Sequence, residues 1–343
     1  TTLLTEVMNK SPKRFTIENQ FKEQASQIKL PQFFIKTNDE LSDGILFEEL
    51  KEEESLLHKN SLLDGFNLLN CDTIISFDDV SSEVYRVDFD ESKGTSAMSK
   101  ISLKAREILK ESILAKPQDS QIRQVSAMIV SKLGDMTPLS DQDLKKYVAR
   151  IFENLNSEQI TDIINNEYRY IDKIKEKING LTNSYAKEMF DKLIASNQIF
   201  TRQHFTFPDN IVPINPSQPI SRSLYQQEEK LNEFEHKMIL DISSFDNVVF
   251  WHKNMVKGKA FALNGPNGNH YPDFIIYTTK GNIVLIETKG DDRDNEDSRS
   301  KNELGRKWAD LSGINYKYFM VFDKKSVKDC YNAGNIGEVL KRL

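Results

Sequence analysis

The chain has 343 residues, of which 38% are hydrophobic and 29% charged, a balance typical of globular proteins with a core of their own. Its net charge of −6 at pH 7 argues against a generally basic surface for binding nucleic acid. No apolar run approaches the roughly 18 residues of a membrane-spanning helix. The two cysteines, Cys71 and Cys330, are far apart and are expected to be free thiols of a cytoplasmic protein.

The charge is unevenly distributed along the chain. From Ser221 onward Lys and Arg number 19 and Asp and Glu 18, a net charge of +1, so the preceding residues carry −7. The acidity therefore belongs to the N-terminal part. A near-neutral C-terminal part that also holds a cluster of carboxylates needs relatively basic surfaces elsewhere, which suits local contact with a phosphate backbone.

Residues 1–98 are predicted to form a mixed α/β module. The apolar run at 32–36 predicts a strand, and so do residues 73–77 and the alternating residues 84–89. The acidic run at 48–54 is typical of a solvated helix face.

Residues 99–200 are predicted to be a helical region. Apolar residues recur at helical spacing over 101–114, 122–133 and 144–178. Ser140 followed by Asp143 predicts a helix N-cap, and Gly180 predicts a break before a last helix. Four prolines between 208 and 219 exclude a helix there and predict a linker over residues 201–220.

Residues 221–343 are predicted to form a separate α/β domain. The pattern predicts a helix over 224–240, a strand over 248–251, and a hairpin whose strands span 271–277 and 283–290. A helix over 300–312, a strand over 316–322 and a short final helix follow. This order of elements predicts a compact sandwich of helices on a sheet.

Charged residues interrupt the apolar hairpin at one end only. Glu287 and Lys289 are two residues apart on one strand, so their side chains point the same way, and Asp273 begins the neighbouring strand. Two carboxylates in such proximity favour a cation between them. Mg²⁺ suits this role because it takes a few oxygen ligands and keeps several waters. The alternative interpretation is an ordinary hairpin with solvated charges.

At these residues the sequence resembles a known family. The pattern Pro272-Asp273 … Glu287-Thr288-Lys289 is similar to the motif of the PD-(D/E)xK nucleases. Three longer strings resemble the endonuclease domain at the C-terminus of the restriction (Res) subunit of type III restriction enzymes: Phe250-Trp251-His252-Lys253-Asn254, Tyr271-Pro272-Asp273-Phe274 and Glu287-Thr288-Lys289-Gly290. The clear resemblance covers about the last third of the chain.

The resemblance implies a restriction-endonuclease-like α/β/α domain with a defined site. In it Asp273 and Glu287 bind Mg²⁺, for which Mn²⁺ can substitute, and Lys289 assists the attacking water. It also implies a Glu on the helix before the sheet. Glu235 fits that place best, with Glu233 and Glu228 as alternatives.

Three basic or titratable residues are weaker candidates for DNA contact. His252, Arg306 and Lys307 are placed to meet phosphates if they face the substrate. The alternatives are a structural histidine for His252 and simple solvation for Arg306 and Lys307.

The expected function is a Mg²⁺-dependent endonuclease acting on double-stranded DNA. The resemblance implies an ATP-dependent motor and a methyltransferase (Mod) subunit as partners. No Gly-x-x-x-x-Gly-Lys-Ser/Thr occurs in this chain, so ATP is expected to act only through a motor outside it. Two alternatives remain open: a non-catalytic scaffold that binds DNA or protein, and a stand-alone repair nuclease.

Overall fold

A computed structural model describes residues 12–38, 52–77, 107–255, 258 and 260–343. The chain is mixed α/β and divides into two compact units, Thr1–Lys59 with Phe190–Leu343, and Asn60–Met189. The predicted strand over 84–89 lies outside the described residues, as do residues 48–51 of the acidic run.

The described residues form twelve strands and nine α-helices. The strands are β1 Phe15–Thr16, β2 Lys29–Asn38, β3 Glu52–Leu56, β4 Ile199–Thr206, β5 Asn210–Ile211, β6 Val248–Lys253, β7 Leu263–Gly265, β8 Gly268–His270, β9 Phe274–Thr278, β10 Ile283–Lys289, β11 Tyr316–Phe322 and β12 Tyr331–Asn332. The helices are α1 Lys22–Gln27, α2 over residues 107–114, α3 Gln118–Val130, α4 Asp141–Ile151, α5 Ser157–Asn165, α6 Glu167–Ala195, α7 Glu233–Ser243, α8 Glu296–Ser312 and α9 Ile336–Leu340.

The first unit is built on a five-stranded mixed sheet in the order β12-β11-β10-β9-β6. β6, β9 and β10 are antiparallel neighbours, whereas β11 runs parallel to β10. A parallel connection needs a crossover, and α8 supplies it and packs on β11. The other face of the sheet packs on α7 and α9 through a buried apolar cluster: Met238, Ile239, Ile242, Trp251, Phe274, Ile276, Val284, Ile286, Val321, Ile336 and Leu340.

The predicted linker over 201–220 is not a separate linker. β4 covers residues 201–206 of the predicted linker. It pairs antiparallel with β2, which is the central strand of a three-stranded sheet in the order β3-β2-β4. Asn264, from the C-terminal region, accepts a hydrogen bond from the Phe33 amide at 2.9 Å and donates to the Phe33 carbonyl at 2.8 Å. The N-terminal strands therefore belong to the unit that carries the five-stranded sheet. Pairing over such sequence distances leaves no local pattern, and the predicted boundaries at 98, 200 and 220 missed it.

The second unit is helical, as predicted for most of it. Its core holds side chains from α3, α4, α5 and α6. Ser140 caps α4 by accepting a hydrogen bond from the Asp143 amide, as predicted. Two predictions were wrong. Residues 73–77 form no strand, because Ile75 and Phe77 pack against the helical core instead. Gly180 does not break α6, since apolar packing on either side outweighs its low helix propensity.

Adding a methyl group would have opposite effects at two helical glycines. A Cβ on Gly305 of α8 would lie 2.2 Å from the Tyr318 ring, whereas one on Gly180 of α6 would meet nothing within 4 Å. We expect Gly305→Ala to lower the free energy of unfolding by about 2–3 kcal/mol through overpacking. Gly180→Ala, the matched control, should raise it by about 0.5–1 kcal/mol. Urea titration of both variants checks this, and a Gly305→Ala variant as stable as the unaltered chain would contradict the close packing of α8 on β11.

Candidate active site

The hairpin of β9 and β10 brings the predicted charges together. The register pairs Phe274 with Ile286, so Asp273, one residue earlier, comes level with Glu287 at the end of the sheet. Glu287 and Lys289 lie on the same face of β10, as predicted, and are both buried. Residues two apart on a strand share a face, and the four residues before Glu287, Ile283 to Ile286, are apolar and buried.

Asp273 is fixed by hydrogen bonds to both of its carboxylate oxygens. Oδ2 accepts from the amide and the hydroxyl of Thr288, at 2.8 and 2.7 Å, and Oδ1 accepts from Lys253 Nζ at 3.0 Å. Burial raises the pKa of Asp273, but Lys253 and the two Thr288 donors outweigh it and hold the pKa below its ordinary value. Asp273 is therefore an oriented, ionised carboxylate at neutral pH.

Glu287 has one satisfied and one unsatisfied oxygen. Oε1 accepts from Lys289 Nζ at 2.6 Å, whereas the buried Oε2 has no hydrogen-bond partner among the described residues. Burial, and next the charge of Asp273, raise the pKa of Glu287 to about 7, against the opposing effect of Lys289. Such an orphaned carboxylate oxygen costs free energy unless a cation or a proton meets it.

His270 lines the same side of the sheet. Its Nε2 lies 2.9 Å from the Tyr318 hydroxyl and 3.8 Å from Glu287 Oε2. Burial, with Lys301 and Lys289 nearby, lowers the pKa of His270 to about 3, so the imidazole is neutral at physiological pH. The sequence did not place His270 or Tyr318 at the site, because only the fold brings β8 and β11 to this point.

The structure brings Glu235 to Asp273 and leaves the alternatives elsewhere. The predicted helix over 224–240 begins only at Glu233, because Asn232 and Glu235 form a capping box. Glu235 is thereby buried, and its Oε1 lies 3.3 Å from the Thr288 hydroxyl oxygen. Glu233 is exposed. Glu228 lies before the helix and forms a hydrogen bond with His252.

Lys253 is a site residue that sequence reasoning named only within a motif. Its Nζ donates to Glu235 Oε1 at 2.8 Å as well as to Asp273. Burial lowers the pKa of Lys253, but Asp273 and Glu235 outweigh burial and raise it above its ordinary value. The sequence does not show which face of β6 meets the helix that carries Glu235, so only the fold identifies Lys253 as part of the site.

The three weaker DNA-contact candidates lie apart from these carboxylates or are already paired. His252 is buried on the other face of β6, with Nδ1 2.8 Å from Glu228 Oε2, which favours the structural alternative. Lys307 forms ion pairs of 2.6 Å with both Asp191 and Glu303. Arg306 is exposed and lies 3.4 Å from Asp329. Only Arg306 of the three presents a largely exposed charge.

The donor set fits a magnesium ion even though it is sparse. Within the described part of the chain, no group of three or more His, Cys, Asp or Glu is arranged to hold a metal ion. Mg²⁺, however, is commonly bound by one or two carboxylates with waters and phosphate oxygens as its other ligands. Asp273 and Glu287, with its unpartnered Oε2, supply such a pair.

Comparison with protein families, curated proteins and solved structures finds no match for this chain. Over the residues that the structure covers, no helix is long and apolar enough to cross a membrane.

The Thr288 hydroxyl offers a test of how Asp273 is oriented. Thr288→Val keeps the shape and the amide donor but removes the 2.7 Å hydrogen bond to Oδ2. If Asp273 is a metal ligand, we expect metal-dependent phosphodiester cleavage to fall by about 10- to 100-fold, the usual effect of losing a partner of a ligand. Single-turnover kinetics measure this. Thr279→Val, at an exposed turn residue, is the matched control, and equal rates in both variants would contradict the orienting role.

Proposed function

We propose that this chain carries a metal-dependent phosphodiesterase centre of the PD-(D/E)xK class. The element order supports this: a helix (α7), the antiparallel strands β6, β9 and β10, a crossover helix (α8) and a parallel strand (β11). That is the order the sequence resemblance implies for the α/β/α domain. Asp273, Glu287 and Lys289 lie together at one end of that sheet, and Glu235 projects to it from α7.

The observation that carries the proposal is the environment of Glu287. A buried carboxylate oxygen without a hydrogen-bond partner is unfavourable in a metal-free protein, and the ionised Asp273 nearby makes it more so. A scaffold gains nothing from keeping that arrangement. A divalent cation removes the cost by binding both carboxylates, which is the reason to regard the pair as a metal site.

Within that class, the particular function we propose is the endonuclease part of a type III restriction subunit. The strings around His252, Asp273 and Glu287 support it. Double-stranded DNA is then the substrate, and the ATP-dependent motor and the methyltransferase subunit are partners outside this chain. Mg²⁺, or Mn²⁺ in its place, is the cofactor.

Each residue has a role in this proposal. Asp273 and Glu287 would hold the cation, which when bound activates water and offsets charge on the phosphate. Thr288 and Lys253 keep Asp273 ionised and oriented before DNA arrives. Lys289, held by Glu287 Oε1, presents an ammonium that orients the attacking water or a phosphate oxygen. The reaction is an in-line displacement at phosphorus.

Calorimetric titration of the metal-free chain with Mn²⁺ and Mg²⁺ tests the proposal. We expect binding by the unaltered chain, and a loss of at least about 10²-fold in affinity for Asp273→Ala. Asp246→Ala, which removes an exposed carboxylate from the same domain, should bind as the unaltered chain does. No binding by the unaltered chain would favour the non-catalytic scaffold instead.

A further inference from the structure

Lys253 fills the space between two carboxylates of the site. Its Nζ lies 2.8 Å from Glu235 Oε1 and 3.0 Å from Asp273 Oδ1, and its side chain is only 12% exposed. The same ammonium lies 4.5 Å from the centre of the Phe274 ring, a favourable cation–π contact. α7, β6 and the start of β9 thus enclose a cation that belongs to the chain.

The position of this ammonium bears on the number of metal ions. In sites with two metal ions, the ions are about 3.5–4 Å apart and share neighbouring carboxylates. Mg²⁺ binds oxygen at about 2.0–2.1 Å. A second ion bound to both Glu235 Oε1 and Asp273 Oδ1 would overlap Lys253 Nζ, which is within hydrogen-bonding distance of both oxygens. That position is filled unless Lys253 moves out of its buried place.

The charges of the site agree with a single added ion. Glu235, Asp273 and Glu287 contribute −3 when ionised, and Lys253 and Lys289 contribute +2, which leaves −1. One divalent cation brings this set to +1, which matches the single negative charge of a phosphodiester. Two such ions would bring it to +3 in a largely buried site, and burying excess charge is costly.

We infer that Lys253 takes the place of a second divalent cation, so that the site binds one metal ion, at Asp273 and Glu287. This rests on the proposed function and deepens it by fixing the number of ions. Lys253 acts as a positioning residue: it holds Asp273 and Glu235 in place through its ammonium.

The experiment counts the Mn²⁺ ions bound to the metal-free full chain, by electron paramagnetic resonance of the free ion during titration. We expect one site in the unaltered chain. In Lys253→Met the oxygens of Glu235 and Asp273 lose their cation, and two sites are expected. Lys253→Arg, which keeps the charge, should retain one site. Lys237→Met, which removes an exposed lysine from α7, is the matched control and should also show one.

Two sites in the unaltered chain, or one site in a folded Lys253→Met variant, would overturn the inference and leave the nuclease proposal standing. Circular dichroism establishes whether the variant folds, and Lys253→Gln replaces it if it does not. If neither variant folds, the count for the unaltered chain decides alone, one site supporting the inference and two overturning it. No Mn²⁺ bound to the unaltered chain would instead overturn the proposed function together with this inference.

Discussion

Lys289→Met is expected to lower metal-dependent DNA cleavage by about 10²- to 10³-fold or more, the usual effect of removing one preorganised electrostatic group. The ammonium of Lys289 is buried, 2.6 Å from Glu287 Oε1, and no other lysine lies on the same face of β10. In the proposed mechanism, its loss removes the group that orients water or phosphate next to a carboxylate that would bind the metal. Cleavage of a plasmid under single-turnover conditions measures the effect.

The same variant separates catalysis from metal binding. Methionine keeps most of the buried volume, so the fold should survive, and Asp273 and Glu287 remain to bind the cation. Lys280→Met is the matched control, since Lys280 lies exposed at the turn of the same hairpin and donates to the Arg342 carbonyl, away from the carboxylates. Cleavage by Lys289→Met at the rate of Lys280→Met would contradict the role given to Lys289.

The second large effect is the pH dependence of stability that Glu287 creates. Because its pKa is raised from 4.5 to about 7, Glu287 contributes stability that is fully present below pH 4.5 and is lost as the pH rises through about 7. His270, whose pKa is lowered from 6.5 to about 3, acts in the opposite sense: its contribution is present above pH 6.5 and is lost as the pH falls. The two effects largely cancel between pH 4.5 and 6.5 in the unaltered chain.

Comparison with Glu287→Gln isolates the contribution of Glu287. The glutamine does not titrate, whereas His270 titrates in both proteins. The stability of the variant relative to the unaltered chain should therefore rise by about 3 kcal/mol between pH 4.5 and about pH 8, at ~1.4 kcal/mol per unit of pKa shift. Urea titrations across this range, without metal, measure the difference. A difference that does not change with pH would show that Glu287 titrates normally.

Saturating Mg²⁺ provides a further check on the same pair of proteins. The cation binds the ionised carboxylate, so it should stabilise the unaltered chain most at high pH and the glutamine variant little. Cleavage should be lost in Glu287→Gln at every pH. If Glu287 serves function at a cost in stability, Glu287→Gln should be more stable than the unaltered chain without metal and yet inactive.

The sequence predicted the hairpin and its charges because both depend on local alternation. Asp273, Glu287 and Lys289 follow from two short apolar runs, a turn, and the rule that alternate residues share a face. Ser140 likewise predicted the start of α4, because its side chain can accept a hydrogen bond from a free amide at the start of a helix. Features of this kind need no knowledge of the rest of the chain.

Other parts depended on contacts that a local pattern does not contain. The pairing of β4 with β2 joins residues about 170 positions apart, as the pair Phe33 and Thr201 illustrates, so residues 201–206 were assigned to a linker instead of a strand. Gly180 sits inside α6 because packing elsewhere along the helix outweighs one glycine. Lys253 and His270 became site residues only through the positions of α7 and β11.

The most direct test of the account is plasmid cleavage by the purified chain with Mg²⁺ or Mn²⁺, beside Asp273→Ala. Asp273→Ala removes a carboxylate that binds the cation in this account, and Asp246→Ala controls for the loss of an exposed one. We expect cleavage that requires the metal, survives in Asp246→Ala and is lost in Asp273→Ala. Cleavage that persists in Asp273→Ala would contradict the proposed function. So would the absence of cleavage by a chain that demonstrably binds the metal and is supplied with the proposed motor and methyltransferase partners.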